Sequence, residues 1–194
     1  MGRPREFDID EALDAAIEVF WEHGYDATCN DLLGAMGIQK GSLYKAFGSK
    51  HNLFMAALDR YLSASLDRIE GIFKEAPSPK AGLENWLQHG VLDLCSRGVR
   101  RGCFGINSAV ELGVHDEEVA QRFRRHIRDL KALLGRVIAE GQERGEFRLD
   151  IDPRAAAEFV FVVLAGLLTA SKGGMSRAEG QRVIALASSA LEGN

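Results

Sequence analysis

The sequence predicts an all-α chain. Apolar residues recur at three-to-four spacing through most of it, and runs of alternating β-branched residues are few. Only four prolines interrupt it, two of them close together at Pro77 and Pro79. With 46% hydrophobic residues in 194 positions, the chain can bury a substantial core, which excludes global disorder.

A first helix is expected over about 10–23. Ala12, Ala16, Val19 and Phe20 repeat at helical spacing, Leu13 and Ile17 widen the stripe, Asp8 or Asp10 can cap its start, and Gly24 ends it. Short helices follow over about 30–36 and 40–47, with Gly37 as the turn between them. Gly48-Ser49 stops the third helix and caps a fourth. The fourth is long, about 50–74, with Leu53, Ala57, Leu58, Tyr61, Leu62, Leu66, Ile69 and Phe73 in one stripe, and it acts as a rigid connector. Pro77-Ser78-Pro79 marks the break after it. A fifth helix is read over about 79–95, followed by a basic, glycine-flanked loop over 97–102. A sixth covers about 103–112, and a seventh, opened by His115-Asp116, ends at Gly145. An eighth starts on Asp152-Pro153 and ends at 172–174, and a ninth, capped by Ser176, runs to about 192.

The net charge of −4 argues against a uniformly basic surface. Residues 1–60 hold six Lys/Arg and ten Asp/Glu, yet nine of those acids lie between Glu6 and Asp31. From Gln39 to Lys50 there are three lysines and no acids. Local charge, not the total, sets affinity for phosphate. Arg3 and Arg5 form a second basic spot, read either as an arm for an adjacent minor groove or as a solvated tail.

The stretch TCNDLLGAMGIQKGSLYKAFGSK, residues 28–50, has the layout of a helix-turn-helix that reads DNA. Gly37 supplies a left-handed turn without steric cost. Leu32, Leu33, Met36, Ile38, Leu43 and Phe47 are the apolar residues that would lock the first three helices together. The third helix then shows Gln39, Lys40, Ser42, Tyr44 and Lys45 outward, as donors to base edges or phosphates. Gly41 lets the backbone approach the groove, and Lys50, in the first turn of the fourth helix, can meet a phosphate together with backbone N–H groups. The competing reading is a plain three-helix packing unit.

The segment GYDATCNDLLGAMGIQKGSLYKAFGSKHNLF resembles the N-terminal signature of the TetR family of bacterial repressors, GSLYKAF followed by Lys50 and Leu53 being the specific part. The resemblance covers residues 9–60 and beyond that rests on helix count and length. It implies that Thr28, Lys40, Ser42, Tyr44, Lys45 and Lys50 contact DNA. It departs from the family at Cys29, where Ser or Thr is common, at Leu33, which replaces a small residue, and at Gly34 inside the second helix, which should cost about 1 kcal/mol. The expected division is a DNA-binding domain over 1–48 and a ligand-binding and dimerisation domain over 49–194.

A single three-helix reader binds weakly, and a twofold pair reads two half-sites. Phe159, Val160, Val163, Leu164, Leu167 and Leu168 make the eighth helix apolar on more than one face, and the ninth offers Val183, Ile184, Leu186, Ala187, Ala190 and Leu191. Two such helices from each chain can pack as a four-helix interface; the alternative is that the eighth is a central core helix. The resemblance favours the homodimer.

Phe104, Asn107, Ser108 and Glu111 form one stripe of the sixth helix, which suits a cavity with a few hydrogen-bonding groups. The expected pocket, among the fifth to eighth helices, holds Trp86, His89, Phe104, Asn107, Glu111, Phe123 and His126. The alternative leaves Asn107 and Glu111 exposed or capping the 97–101 loop. The basic residues of 122–128 read as a solvated face paired with Glu117, Glu118 and Asp129.

No GxSxG, P-loop, HExxH or dinucleotide fingerprint is present, and the five histidines lack metal-ligand spacing, so neither an enzyme nor a cofactor or metal is expected. Cys29, Cys95 and Cys103 form no disulfide framework and fit a reducing cytoplasm. The N-terminus lacks a secretory core, and the apolar run 155–170 contains Glu158 and is read as too short to span a bilayer. The resulting expectation is a cytoplasmic one-component regulator whose partners are double-stranded operator DNA, a small-molecule inducer and a second copy of itself, with no membrane. By the resemblance, a repressor dimer holds its recognition helices about 34–36 Å apart and is released when a ligand prefers another state. The alternatives are a thiol redox sensor through Cys29 or Cys95/Cys103, or an activator.

Overall fold

The computed structural model describes residues 7–96 and 101–193, with the side chains of 89–96 outside the description. Arg3, Arg5, most of the 97–102 loop, and the side chains of His89 and Cys95 therefore lie outside the described residues. Among the described residues there are nine α-helices and no strand.

Local chemistry sets most of the boundaries. α1 (Ile9–His23) starts on Asp8, whose carboxylate accepts from the N–H groups of Asp10 (2.8 Å) and Glu11 (3.1 Å). Gly24 ends it at φ 68 and leads into a single 3₁₀ turn, Gly24–Asp26, that the periodicity did not reveal. α2 (Cys29–Met36) opens on a reciprocal cap. The Thr28 hydroxyl accepts from the Asp31 N–H, and the Asp31 carboxylate accepts from the Thr28 N–H at 3.0 Å. Gly37, left-handed at φ 63, turns the chain into α3 (Lys40–Phe47). Ser49 caps α4 (Lys50–Glu75) by accepting from the Asn52 N–H at 3.0 Å.

α5 (Pro79–Ser96), α6 (Phe104–Leu112), α7 (Glu117–Glu143), α8 (Pro153–Lys172) and α9 (Arg177–Leu191) form the rest. Asp116, Asp152 and Ser176 cap α7, α8 and α9 with their own side chains, because each can satisfy N–H groups the helix leaves open.

Two apolar clusters organise the chain. The first joins α1, α2, α3 and the first half of α4, and takes in Phe104 of α6 and Val119 of α7. Its centre is aromatic: Phe54 meets Phe20 edge-on at 5.0 Å and Phe104 at 5.8 Å. The second joins the far half of α4 to α5, α7, α8 and α9. α4 thus contributes to both, as its unbroken stripe predicts.

α8 requires two corrections. Its helix extends past the 155–170 run at both ends, and its 20 residues are long and apolar enough to cross a membrane by length and composition alone. The core explains that apolarity instead: Ala156, Ala157, Val160, Leu164, Leu167 and Leu168 are buried against the chain's own helices. Four of the residues expected at a dimer interface, Val160, Leu164, Leu167 and Leu168, are therefore core residues, as are Ile184, Ala187 and Leu191 of α9. The face left outward carries Phe159, Val162, Gly166 and Ala170 on α8 and Val183, Leu186 and Ala190 on α9. Val162 is 65% and Leu186 72% exposed, which is a large amount of uncovered apolar surface for a lone chain.

Candidate DNA-reading surface and ligand cavity

α3 is anchored by one side and free on the other. Leu43 is buried, and Ser42 and Phe47 are half-buried. Gln39, Lys40, Gly41, Tyr44 and Lys45 are exposed. A short amphipathic helix held from below must present its polar side outward, so the cationic face is a direct consequence of where Leu43 and Phe47 fall. Gly41 and Gly37 have open space where a side chain would stand.

Three residues of the surface are positioned by neighbours. The Thr28 hydroxyl donates to the Asp31 carboxylate at 2.7 Å, within the cap of α2, and remains exposed. The Tyr44 phenol lies against the Cys29 thiol, and this hydrogen-bonding contact pushes its pKa up. Lys50 sets its ammonium 4.6 Å from the centre of the Tyr25 ring, which fixes the amine at the start of α4 without neutralising it.

Four of the five acids of α1, Asp10, Asp14, Glu18 and Glu22, are paired with arginines from elsewhere in the chain. Arg60 of α4 binds Asp14 at 2.7 Å and Asp10 at 2.8 Å, and this bond holds the Asp14 carboxyl below its ordinary value. Arg101, just before α6, pairs with Glu18 and reaches Glu22 at 3.5 Å, while its carbonyl accepts from the Trp21 indole and, at 2.7 Å, from the Asn107 amide. Sequence spacing carries no sign of these ion pairs, since the arginines lie 46 or more positions from the α1 acids they meet.

The second feature is a cavity of about 110 Å³ among α4, α5, α6, α7 and α8. Trp86, Phe123 and His126 line it, as the sequence suggests. Tyr61, Ser65 and Arg68 of α4, and Phe161, Leu164 and Leu168 of α8, also line it and were not singled out from sequence. Burial lowers the His126 pKa, and burial with the neighbouring Cys103 pushes the Tyr61 phenol well above its usual value, so both are neutral near pH 7.

Phe104, Asn107 and Glu111 are not brought to that cavity. Phe104 is fully buried between Phe54 and Tyr61. Asn107 holds the Arg101 carbonyl, and the Glu111 carboxylate accepts from the Tyr25 N–H at 2.9 Å, so α6 turns its polar stripe towards α1 and the 3₁₀ turn. This agrees with the alternative in which Asn107 serves the 97–101 loop. Three of the four arginines of 122–128 pair with the expected acids, Arg122 with Glu118 (3.5 Å), Arg124 with Glu117 and Arg128 with Asp129, and Arg122 also binds Asp59 of α4 (2.9 Å).

A helix-turn-helix head with an exposed cationic helix, joined by α4 to a helical body, defines a helix-turn-helix type of DNA-binding regulator. The chain belongs to the TetR family: residues 12–57 match the profile of "Bacterial regulatory proteins, tetR family", and residues 80–186 that of "Tetracyclin repressor-like, C-terminal domain". It is 32% identical over 177 residues to the HTH-type transcriptional repressor ComR of Escherichia coli, covering 90% of this chain and 84% of that protein. It is 36% identical over 167 residues to the HTH-type transcriptional regulator YezE of Bacillus subtilis, covering 82% and 84%. A solved structure of a cysteine mutant of the TetR family regulator CifR, complexed with 26 bp double-strand operator DNA, superposes with a TM-score of 0.79 at 32% identity, covering 98% of this chain and all of that one. Escherichia coli NemR in its reduced form shares the fold at a TM-score of 0.83 and 20% identity, covering 92% and 93%. The protein is therefore a DNA-binding transcriptional regulator, and the thiol-sensing alternative is not favoured. Among the described residues Cys29 and Cys103 are free thiols.

Proposed function

We propose that the protein is a cytoplasmic repressor without catalytic activity, which binds operator DNA as a homodimer and leaves it when a small molecule occupies the α4–α8 cavity. Residues 1–48 carry DNA contact and 49–194 carry ligand binding and dimerisation. Gln39, Lys40, Gly41, Ser42, Tyr44 and Lys45 enter the major groove, with Thr28 and Lys50 on flanking phosphates. The observation that carries the reading is the acid-free, exposed face of α3 on a firmly buried Leu43. The operator complex of CifR supports it by similarity.

The outward apolar face of α8 and α9 gives the dimer its surface. Release follows from how the cavity is built. Tyr61 and Ser65 of α4 line it, and about two to three turns earlier the same rigid helix packs Leu53 and Phe54 into the head. α6 repeats the connection, with Ile106 at the cavity and Glu111 on the 3₁₀ turn. A ligand that fits only a shifted α4 changes the spacing of the two recognition helices through its preference for that state.

The test is selection of bound duplex from a random pool, followed by titration of the selected site. Tyr44→Ala and Lys50→Ala should weaken binding on every sequence and lower the salt slope, by about one unit for each phosphate that is no longer engaged. Lys45→Ala should also relax base preference. If neither Tyr44 nor Lys50 matters, the DNA-binding surface lies elsewhere.

A further inference from the structure

The polar groups around the cavity share one property. Tyr61, Ser65, Arg68 and His126 can each donate a hydrogen bond, and no Asp or Glu is among the described lining residues. Most of this donor capacity is unspent. Tyr61 donates only to the Cys103 sulfur, at 3.6 Å, a weak acceptor. Arg68, Ser65 and His126 have no hydrogen bond or ion pair among the described residues. Arg68 of α4 lines the same cavity as Tyr61, with its side chain at an exposed position. Behind these donors the wall is apolar, with Trp86, Phe161 and Leu164 among its members.

We infer that the inducer is a small organic acid, its carboxylate held by Arg68 and Tyr61 at the α4 edge and its short apolar body filling the space beside Trp86. This rests on the cavity being the inducer site. The charge argument is one of complementarity: a cation with neutral donors beside it, and no acid in the described lining, favours an acceptor-rich, negatively charged group. The size argument is one of volume. A dry cavity of ~150 Å³ holds the six carbons of benzene, so about 110 Å³ admits roughly four. His126 also borders a surface groove between α4 and α7, lined by Asp59, Ser63, Arg125 and Asp129 among others.

Calorimetry and thermal shift on the full-length protein test this with three probes. Benzene reports the void alone, hexanamide adds a neutral polar head, and hexanoate adds the charge. Hexanoate should bind at least about tenfold tighter than hexanamide, the gain expected of one charge-assisted hydrogen bond. Arg68→Gln, at an exposed position, should bring hexanoate down to the affinity of hexanamide. Along the series from butyrate to octanoate, affinity should rise about fourfold per methylene and then level off at about five carbons, with roughly four in the cavity and the carboxylate at its edge. If benzene or hexanamide binds and hexanoate binds no tighter, the acid assignment is overturned while the cavity stands as a ligand site. If none of the three binds at millimolar concentration, both the acid assignment and the cavity's role fall.

Discussion

Single residues decide the shape of the reader, and two glycines a short distance apart act in opposite senses. Gly37 sits at φ 63, where a side chain strains the backbone whatever the surrounding space, so Gly37→Ala should cost about 1–2 kcal/mol. Gly34 lies within α2 with open space beyond it, so Gly34→Ala should stabilise by about 0.5–1 kcal/mol. Urea denaturation of the two variants should therefore shift in opposite directions, and a common sign would refute the account of the turn. Thr28 has two duties in this account, closing the α2 cap and facing a phosphate. Thr28→Ala should lower stability by about 1 kcal/mol in addition to any fall in operator affinity. The cap is legible in sequence because Thr28 and Asp31 are three positions apart. The approach of Tyr44 to Cys29 is not, because it forms only once α3 has folded back across α2.

Among the elements, α6 shows most clearly where periodicity stops being informative. Its 3.6-residue repeat separates Phe104, Asn107, Ser108 and Glu111 from Ile106 and Val110, but cannot say which side faces the cavity. Packing decides that. Phe104 enters the aromatic cluster of the head, and once it is seated Glu111 meets the Tyr25 N–H and Gly24, while Ile106 is left to the cavity. Phe104→Ala should cost about 3–5 kcal/mol, read as a lowered urea midpoint, because it empties the junction of α4, α6 and the head. α4 and α7, by contrast, are legible in sequence almost to their ends. Their apolar stripes are long, and Ser49 and Asp116 mark their starts.

At the scale of the whole molecule, two outcomes are expected. Val162→Asp combined with Leu186→Glu places charge on the outward face of α8 and α9 without touching the core, so sedimentation should show a folded monomer with weak operator binding. Stability should also fall with acid. Asp14 is held below its ordinary 3.8 by Arg60, Asp31 by the Thr28 hydroxyl, and Asp150 by Arg148. For Asp116, burial acts upward, and the bond from His51 together with the Val119 and Glu118 N–H groups outweighs it. The folded chain therefore binds these protons more weakly than the unfolded one. Their contribution is complete above the ordinary carboxylate range and is lost as pH drops through the lower folded values. His126, depressed from 6.5 by burial, adds an earlier loss, which begins below that value as the unfolded chain takes up a proton that the folded one resists. Thermal midpoints should thus decline first below about pH 6.5 and steeply below about pH 4.

What the chain determines alone is whatever depends on neighbours a few positions apart: the caps, the glycine turn, the amphipathic stripes, and the lysines of α3 without an acid among them. Those are enough to specify the helices and the class of protein. The tertiary structure decides which stripe meets which. It sends four of the five α1 acids to Arg60 and Arg101, takes much of α8 into the core and leaves a different face outward. It also gathers Tyr61, Ser65, Arg68 and His126 around one small void. These outcomes depend on contacts between residues far apart in sequence, and a period of 3.6 carries no record of them.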